Sequence, residues 1–146
     1  MTRNRHTYFA IGAFMMAVAI MLGAFGAHGL THKVSPKYIE TWKTACDYLM
    51  YNALAIMAFS SYRSRYKFSN VEEQVKEQPK VFLQASMLAV FSGVILFCLS
   101  LFAVSLHEIV HPGLHELKHI APIGGSLMAL GWIGVGAYFL SHKHPK

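Results

Sequence analysis

Two copies of one five-residue pattern contain the residues best suited to chemistry. His107-Glu108-Ile109-Val110-His111 and His115-Glu116-Leu117-Lys118-His119 both read H-E-x-x-H. On an α-helix, histidines four residues apart share a face and bind one zinc ion, and the glutamate serves as the general base of a metalloprotease. Pro112 separates the copies, so one straight helix cannot carry all four histidines. A short, apolar chain also has little left to build a peptide cleft, and we expect no enzyme.

The same histidines are better candidates for a plain metal site. Each pair can lie on its own helical turn, and the bend at Pro112-Gly113 can bring the pairs together. Imidazole ligands suit zinc, copper and nickel. Two alternatives stay open: a solvated loop at the membrane surface, and a pH-responsive loop, because clustered histidines gain charge between about pH 7 and 5. No other cofactor is expected. The candidate ligands are His107, His111, His115 and His119.

Three polar side chains lie close to or among apolar residues, namely His28, Asp47 and Asn52. A carboxylate inside a membrane needs a partner. For Asp47 the obvious partner is Lys43, one turn earlier, and the alternative is His28, in a pair that is structural or relays a proton. Asn52 is expected to hydrogen-bond between helices. Trp132 lies too far inside its apolar block for the interface, so we expect it to pack between helices.

The surrounding sequence is that of a membrane protein. Hydrophobic residues make up 54% of the 146 residues and charged residues 14%, whereas soluble domains carry about a quarter charged residues. The apolar residues fall in blocks long enough to cross a bilayer, which takes about 20 residues. We therefore predict an all-α fold, a four-helix transmembrane bundle that forms one integral membrane domain over residues 1–146. The predicted spans are 8–28, 39–61, 81–106 and 120–141.

Local signals place the ends of these helices. Ser35-Pro36 is a typical helix start, with serine as the N-cap and proline in the first turn. The helix that follows has polar first turns, so it either spans with a polar entrance or begins in the interface. A capping box at residues 69–72 is compatible with a short surface helix that Pro79 ends, but a solvated connector is the favoured interpretation of this segment. Ala24-Phe25-Gly26 resembles a signal-peptide cleavage site, but the apolar run before it is too long for a signal core.

Small residues recur at helix-packing intervals at the end of the first apolar block. Gly23, Gly26 and Gly29 are three residues apart, and Ala19, Gly23 and Ala27 are four apart. In membranes this spacing lets helix backbones approach closely. We therefore expect the other helices to pack around the first one. The predicted packing residues are Ala19, Gly23, Gly26, Ala27, Gly29, Gly93, Gly124, Gly125 and Gly131.

The distribution of lysine and arginine predicts the orientation. The two tails and the connection 62–80 carry nine of these residues, and the other two loop regions carry four. Cytoplasmic segments carry the excess of positive charge. Both termini and the connection 62–80 are therefore expected in the cytoplasm. Six of the nine histidines then face the other side of the membrane.

Six short blocks, in a fixed order and touching all four spans, carry a resemblance to known proteins: Leu22–Leu30, Trp42–Ala45, Tyr48–Ala55, Phe91–Gly93, Ala121–Gly125 and Gly131-Trp132. By these blocks the chain resembles the small four-helix membrane proteins of the bacterial YgdD/YwdK type, grouped as domain of unknown function 423. The resemblance implies four transmembrane helices in a bacterial inner membrane, relatives in eukaryotes and no established reaction.

The chain departs from that family pattern in three places. Asn52 stands where the family commonly has histidine, which argues against an essential histidine there. Asp47 stands where a basic residue is frequent. The loops 62–80 and 107–119 are longer than usual, so the histidine-rich loop inherits no role from the family.

These features favour a non-enzymatic protein of the inner membrane that packs with itself or serves as an accessory subunit of a larger membrane complex. The lipid bilayer is the expected partner, and nucleic acid is not, because the basic residues sit in short segments between apolar blocks. One alternative is a transporter of a small solute or ion, which would use Asp47, Asn52, Gln84 and His28. The other is an outward-facing histidine-rich protein that binds metal or responds to pH.

Overall fold

Four α-helices make up most of the computed structural model, which describes residues 3–65 and 77–141 and has no strand among them. An eight-residue 3-10 helix, Pro112–His119, precedes the last α-helix. The predicted all-α four-helix bundle is confirmed. The α-helices are α1 (Arg3–Gly29), α2 (Pro36–Arg65), α3 (Glu77–Ser105) and α4 (Ile120–Ser141).

The helix ends follow the local signals with one exception. α2 begins at Pro36, directly after the predicted N-cap Ser35. α3 begins at Glu77, four residues before the predicted span, and Pro79 lies in its first turn. Proline is tolerated there because the first N–H groups of a helix have no partner within it. Pro79 therefore does not end a surface helix, and the rest of that prediction, residues 69–76, lies outside the described residues.

Three stretches of the described chain are long and apolar enough to cross a membrane: His6–Gly29, Val81–Ser105 and Pro112–Ser141. α2 has the length, at 30 residues, but not the apolarity. Its first turns carry four charged side chains, and its uncharged part begins at Tyr48. Whether α2 spans with a polar entrance or begins in the interface stays a prediction.

The closest approach of two backbones is between α3 and α4. A Cβ atom added to Gly124 would lie 2.5 Å from the backbone nitrogen of Phe97, and one added to Gly131 would lie 2.7 Å from the α3 backbone. Gly93 faces the α4 backbone in the same way. Gly125 lies beside this seam, at an ordinary contact distance of 3.5 Å from the Phe97 ring. Gly93, Gly124 and Gly131 thus pack backbone against backbone, as membrane helices with small residues do.

α1 packs on α2 through one narrow side. Ala19 is fully buried there, Gly26 lies under the indole of Trp42, and Gly12 lies against a methionine side chain of α2. The Trp42 indole donates its Nε1–H to the carbonyl oxygen of Leu22 at 2.7 Å. In this seam the nearest atoms to the small residues belong to side chains, and the α2 backbone is slightly farther away, with the Ala53 carbonyl oxygen 3.0 Å from a Cβ atom added to Gly12.

α1 is not the centre of the bundle, so that prediction is wrong. The backbone of α1 approaches that of α2 alone, α2 packs in turn on α3, and α3 packs on α4. Longer side chains of α1 reach farther inward. Tyr8 stacks on Phe91 of α3 with 6.0 Å between ring centroids. Met15 packs against two clusters of buried side chains, one around Val90 and the other around Met87.

The small residues of α1 explain this arrangement because they point in different directions. Ala19 and Gly26 face α2. A Cβ on Gly23 would meet nothing within 4 Å, Gly29 faces a ring of its own helix, and Ala27 is exposed. A repeat of three or four residues in the sequence therefore does not amount to one packing face.

The core runs along α3, and the thiols are part of it. Cys46 and Cys98 are buried free thiols. The Cys98 thiol donates to the carbonyl oxygen of Ala45 at 3.4 Å, which links α3 to α2. Ile56 of α2 and Met87, Val90 and Val94 of α3 are among the large side chains that are buried most completely.

Candidate functional site

The loop between α1 and α2 meets the connection between α3 and α4 through one carboxylate. Glu108 accepts the backbone N–H of Ser35 at 2.7 Å and the hydroxyl proton of Ser35 at 2.8 Å. Ser35 precedes the first turn of α2, where free N–H groups and the helix dipole favour a negative charge. The two hydrogen bonds from Ser35 lower the pKa of Glu108. Glu108 is thus held as a carboxylate against the start of α2.

Three rings pack beside this contact. Tyr38, in the first turn of α2, lies edge-on to His107 with 4.4 Å between ring centroids, and the rings of His107 and His115 are 5.0 Å apart. The Nδ1 atom of His107 lies 2.8 Å from the carbonyl oxygen of Val104, so Nδ1 carries the proton and donates it. The ring stack joins α2, the turn after α3 and the 3-10 helix.

His115 has one ring nitrogen without a partner. Its Nδ1 atom is buried and makes no hydrogen bond to the described residues. Burial lowers the pKa of His115, and the positive charges of Lys118, His107 and Lys37 lower it further, while Glu116 opposes them. The ring is therefore held neutral more strongly than a free histidine.

The other two histidines of the motifs lie elsewhere. His111 has extended backbone and caps the 3-10 helix, where its Nδ1 accepts the Gly113 N–H at 3.0 Å. His119 is exposed, 4.0 Å from Glu116. The predicted helical turns with two histidines on one face are wrong, because His107 to Val110 is a turn and the second motif is a 3-10 helix with three residues per turn.

The four histidines therefore split into a contacting pair, His107 and His115, and two separate residues. Across residues 3–65 and 77–141, no group of three or more histidine, cysteine or acidic side chains lies close enough to hold a metal ion. We assign no metal ligand among them. The glutamate of the first motif, Glu108, accepts two hydrogen bonds from Ser35.

Inside the bundle, Asn52 joins α2 to α4. Its Oδ1 accepts the indole N–H of Trp132 at 2.9 Å, and its Nδ2 donates to the carbonyl oxygen of Tyr48 at 2.8 Å and to the sulfur of Met128 at 3.1 Å. Asn52 is 5% exposed, so each of these bonds satisfies a polar atom that lipid or core would leave unpaired. The expected roles of Asn52 and Trp132 between helices are what the structure shows.

Asp47 does not form the predicted pair. It is half-buried on α2, and neither Lys43 nor His28 lies within ion-pair distance of its carboxylate. His28 is exposed at the end of α1, and Gln84, considered for a transport path, is exposed on α3. The structure thus brings Asn52 into a network with other side chains but leaves the remaining intramembrane polar candidates apart.

Some contacts that hold the fold together were not predicted from the sequence. The Ser35–Glu108 contact joins positions 73 residues apart, and the packing of Gly12 on α2 falls outside the glycine repeat that drew attention to α1. The H-E-x-x-H pattern did mark Glu108, but it gave no sign of the contact with Ser35. A pattern of residue types identifies reactive groups, whereas their partners depend on the fold.

Comparisons with known proteins identify a family of membrane proteins. The family model described as "Protein of unknown function (DUF423)" matches residues 22–125. No solved structure matches the chain.

Three curated relatives carry the name UPF0382 membrane protein. YwdK of Bacillus subtilis is 31% identical over 86% of this chain and 89% of its own length. SAB0533 of Staphylococcus aureus is 31% identical over 86% of this chain and 88% of its own length. C1782.12c of Schizosaccharomyces pombe is 34% identical over 86% of this chain and 95% of its own length. The predicted family resemblance, including relatives in eukaryotes, is confirmed.

Proposed function

Because the chain belongs to the DUF423 family of membrane proteins, we propose that it is a non-enzymatic structural subunit that packs against another transmembrane helix. The partner helix belongs to a second copy of the chain or to a larger membrane complex. The observation that carries this proposal is the exposed side of α1.

α1 carries two rows of small residues on opposite sides. Gly12, Ala19 and Gly26 recur every seven residues and face α2. Ala10, Ala17 and Ala24 also recur every seven residues and are exposed. A shift of two residues along an α-helix rotates a side chain by roughly 200°, so the second row lies almost opposite the first. One row already packs a helix, and the other has the same spacing and similar size.

The exposed row is a shallow groove rather than a smooth surface. Phe14 and Met21 stand along one edge of the alanines, with 73% and 63% of their surfaces exposed. Phe9 and Ile20 stand along the other edge, also exposed. Small residues between bulky ones let a neighbouring helix approach closely, and such packing drives association in lipid, where the hydrophobic effect does not.

We further propose the bacterial inner membrane, with both termini in the cytoplasm, for this protein. The support is the excess of lysine and arginine in the tails and in the 62–80 connection. The contact between Ser35 and Glu108 is compatible with this topology, since it keeps the other two loops at the same end of the bundle. Labelling of single cysteines placed at His32 and at Ser141, from outside intact cells, tests it: His32→Cys is expected to react and Ser141→Cys is not.

The proposed subunit role is tested by filling the exposed groove. Ala17→Leu replaces an exposed side chain, so the bundle is expected to keep its own stability while the assembly in mild detergent falls apart. Ala129→Leu, at an exposed position of α4, is the matched control and is expected to leave the assembly intact. Native mass spectrometry of protein released from its own membranes reports the mass of the assembly directly.

Two results would contradict the proposal. One is a monomer for the unaltered chain in every mild detergent and in lipid nanodiscs. The other is an assembly that survives Ala17→Leu but is lost in Ala129→Leu, which would place the partner on α4 instead of α1.

A further inference from the structure

We propose that Ser35, Tyr38, His107, Glu108 and His115 form an acid-sensitive latch, which holds the two loops at this end of the bundle together at neutral pH and releases them on protonation. The latch goes beyond the proposed subunit role and does not depend on it. Through the latch, the pH on one side of the membrane controls how firmly the start of α2 is held.

The carboxylate half of the latch requires a charged Glu108. Both of its oxygens accept hydrogen bonds from Ser35, at 2.7 and 2.8 Å, and the start of α2 stabilises negative charge. A protonated carboxyl group loses that charge and one acceptor site. His107 is the titratable neighbour, and its positive charge also favours the carboxylate. The pKa of Glu108 lies below its ordinary value of 4.5, so this half is stable above pH 4.5 and is lost as the pH falls through the lowered pKa.

The imidazole half requires a neutral His115. Its ring lies 5.0 Å from the ring of His107 and 6.5 Å from that of Tyr38, and its Nδ1 is buried without a partner. The charged groups that face it are Lys37 from α2, Lys118 and Glu116 from the 3-10 helix, and His107 from the turn after α3. Charging His115 therefore places a positive charge beside Lys118, His107 and Lys37, an effect that Glu116 opposes.

Both halves respond to acid in the same direction. The pKa of His115 lies below its ordinary value of 6.5, so the open form binds the proton more readily than the closed form. The closed form loses stability as the pH falls from 6.5 through that lowered pKa. Glu108 adds to the loss only at lower pH, because its ordinary pKa is 4.5. His115 therefore sets the pH at which the latch first opens.

Opening would free the polar first third of α2. Tyr38 lies in the first turn of α2 and contacts the rings of His107 and His115. Ser35, the residue before that turn, is held by its hydrogen bonds to Glu108. The latch is the polar contact between the start of α2 and the α3–α4 connection, and it lies beside the apolar cluster of Leu30 and Val34, against which Leu106 packs. Its release lets the charged turns of α2 shift relative to α3.

The experiment measures the distance across the latch. Spin labels are placed at Lys33→Cys and Ile109→Cys, both exposed positions, in a chain with Cys46→Ala and Cys98→Ala, and each sample is measured with and without EDTA. Electron–electron resonance is expected to give one narrow distance at pH 7.5 and a broader, longer distribution at pH 5, with at least a threefold larger open fraction. An unchanged distribution, or a pH response that EDTA abolishes, overturns the latch.

Three variants separate the latch from a general effect of acid. His115→Gln is expected to hold the open fraction constant between pH 7.5 and 5, whereas His119→Gln, at an exposed histidine outside the latch, keeps the full response. Glu108→Ala is expected to be open at both pH values. An equal loss of response in the His115 and His119 variants overturns the role of His115.

A second measurement needs no substitution and therefore tests the latch even if the spin-labelled variant does not fold. Hydrogen exchange of the unaltered protein is followed at both pH values and corrected for the chemical exchange rate. Peptides covering 30–38 and 106–115 are expected to lose protection at pH 5, by at least threefold, while peptides from the middle of α3 do not. Equal protection at both pH values overturns the latch.

Discussion

The α3–α4 and α1–α2 seams both contain buried glycines, but different atoms lie against the glycines in each seam. Between α3 and α4 the backbone of one helix occupies the space beside the glycines of the other, as at Gly124. Between α1 and α2 the nearest atoms belong to side chains, as where the indole of Trp42 covers Gly26, although the Ala53 carbonyl oxygen also lies 3.0 Å from a Cβ atom added to Gly12. A side chain can rotate to accommodate an added methyl group, whereas a backbone can move only with its whole helix. The α3–α4 seam is therefore the rigid part of the bundle.

The difference also explains which helix lies at the edge. α3 and α4 approach so closely that they form one unit, and α2 joins this unit through its own contact with α3. α1 is held mainly by α2 and keeps an exposed row of alanines on its other side. A helix that contacts its own chain on one side only has a second side for another chain, which is the basis of the proposed subunit role.

The largest effect is expected where a methyl group meets backbone. Gly124→Ala places its Cβ 2.5 Å from the backbone nitrogen of Phe97, so α3 and α4 must separate. Overpacking of this kind costs about 1–3 kcal/mol. Gly136→Ala, on the same helix, meets nothing within 4 Å and is the matched control. Thermal unfolding in detergent, followed by circular dichroism, is expected to show a lower midpoint for the first variant than for the second; equal midpoints would contradict a rigid seam.

A smaller effect is expected where the two seams are joined. Asn52→Ala removes the acceptor for the Trp132 indole N–H and leaves that donor buried. Hydrogen bonds between membrane helices contribute about 0.6 kcal/mol on average, and an unpaired buried donor raises the cost toward about 2 kcal/mol.

Histidine is the matched replacement at this position. Asn52→His keeps an acceptor and is the residue that the resemblance places there in the family, so it is expected to recover most of the stability lost in Asn52→Ala. Unfolding by SDS, monitored through tryptophan fluorescence, checks both variants. If Asn52→His were as unstable as Asn52→Ala, the hydrogen bond to Trp132 would not be the reason for the loss.

The helices were predictable from the sequence because their signals are local. The apolar blocks set the number of helices, and Ser35-Pro36 gave the start of α2. The start of α3 was missed because proline is allowed in a first turn as well as after a last one, and the sequence around Pro79 does not distinguish the two.

The contacts were less predictable because they are not local. The motif pattern grouped four histidines, but the fold brings together His107 and His115 and separates the others. The link from Glu108 to Ser35 spans 73 positions and follows from the way α2 and α3 pack. The glycine repeat identified α1 as a packing helix. It did not reveal which side of α1 faces α2, because the spacing of small residues alone does not give the direction in which each one points.

The smallest effect is expected in the seam that a side chain fills. Gly26→Ala displaces the Trp42 indole and breaks its hydrogen bond to the Leu22 carbonyl oxygen, with a cost of about 0.5–1.5 kcal/mol. Gly23→Ala, one turn earlier on the same helix, meets nothing within 4 Å and is expected to leave stability within about 0.5 kcal/mol. Because Trp42 also packs between Phe25 and Phe102, its displacement is expected to shift the tryptophan emission of the Gly26 variant alone. A loss of stability in Gly26→Ala as large as that in Gly124→Ala would show that the indole is held as firmly as a backbone, and the distinction between the two seams would fail.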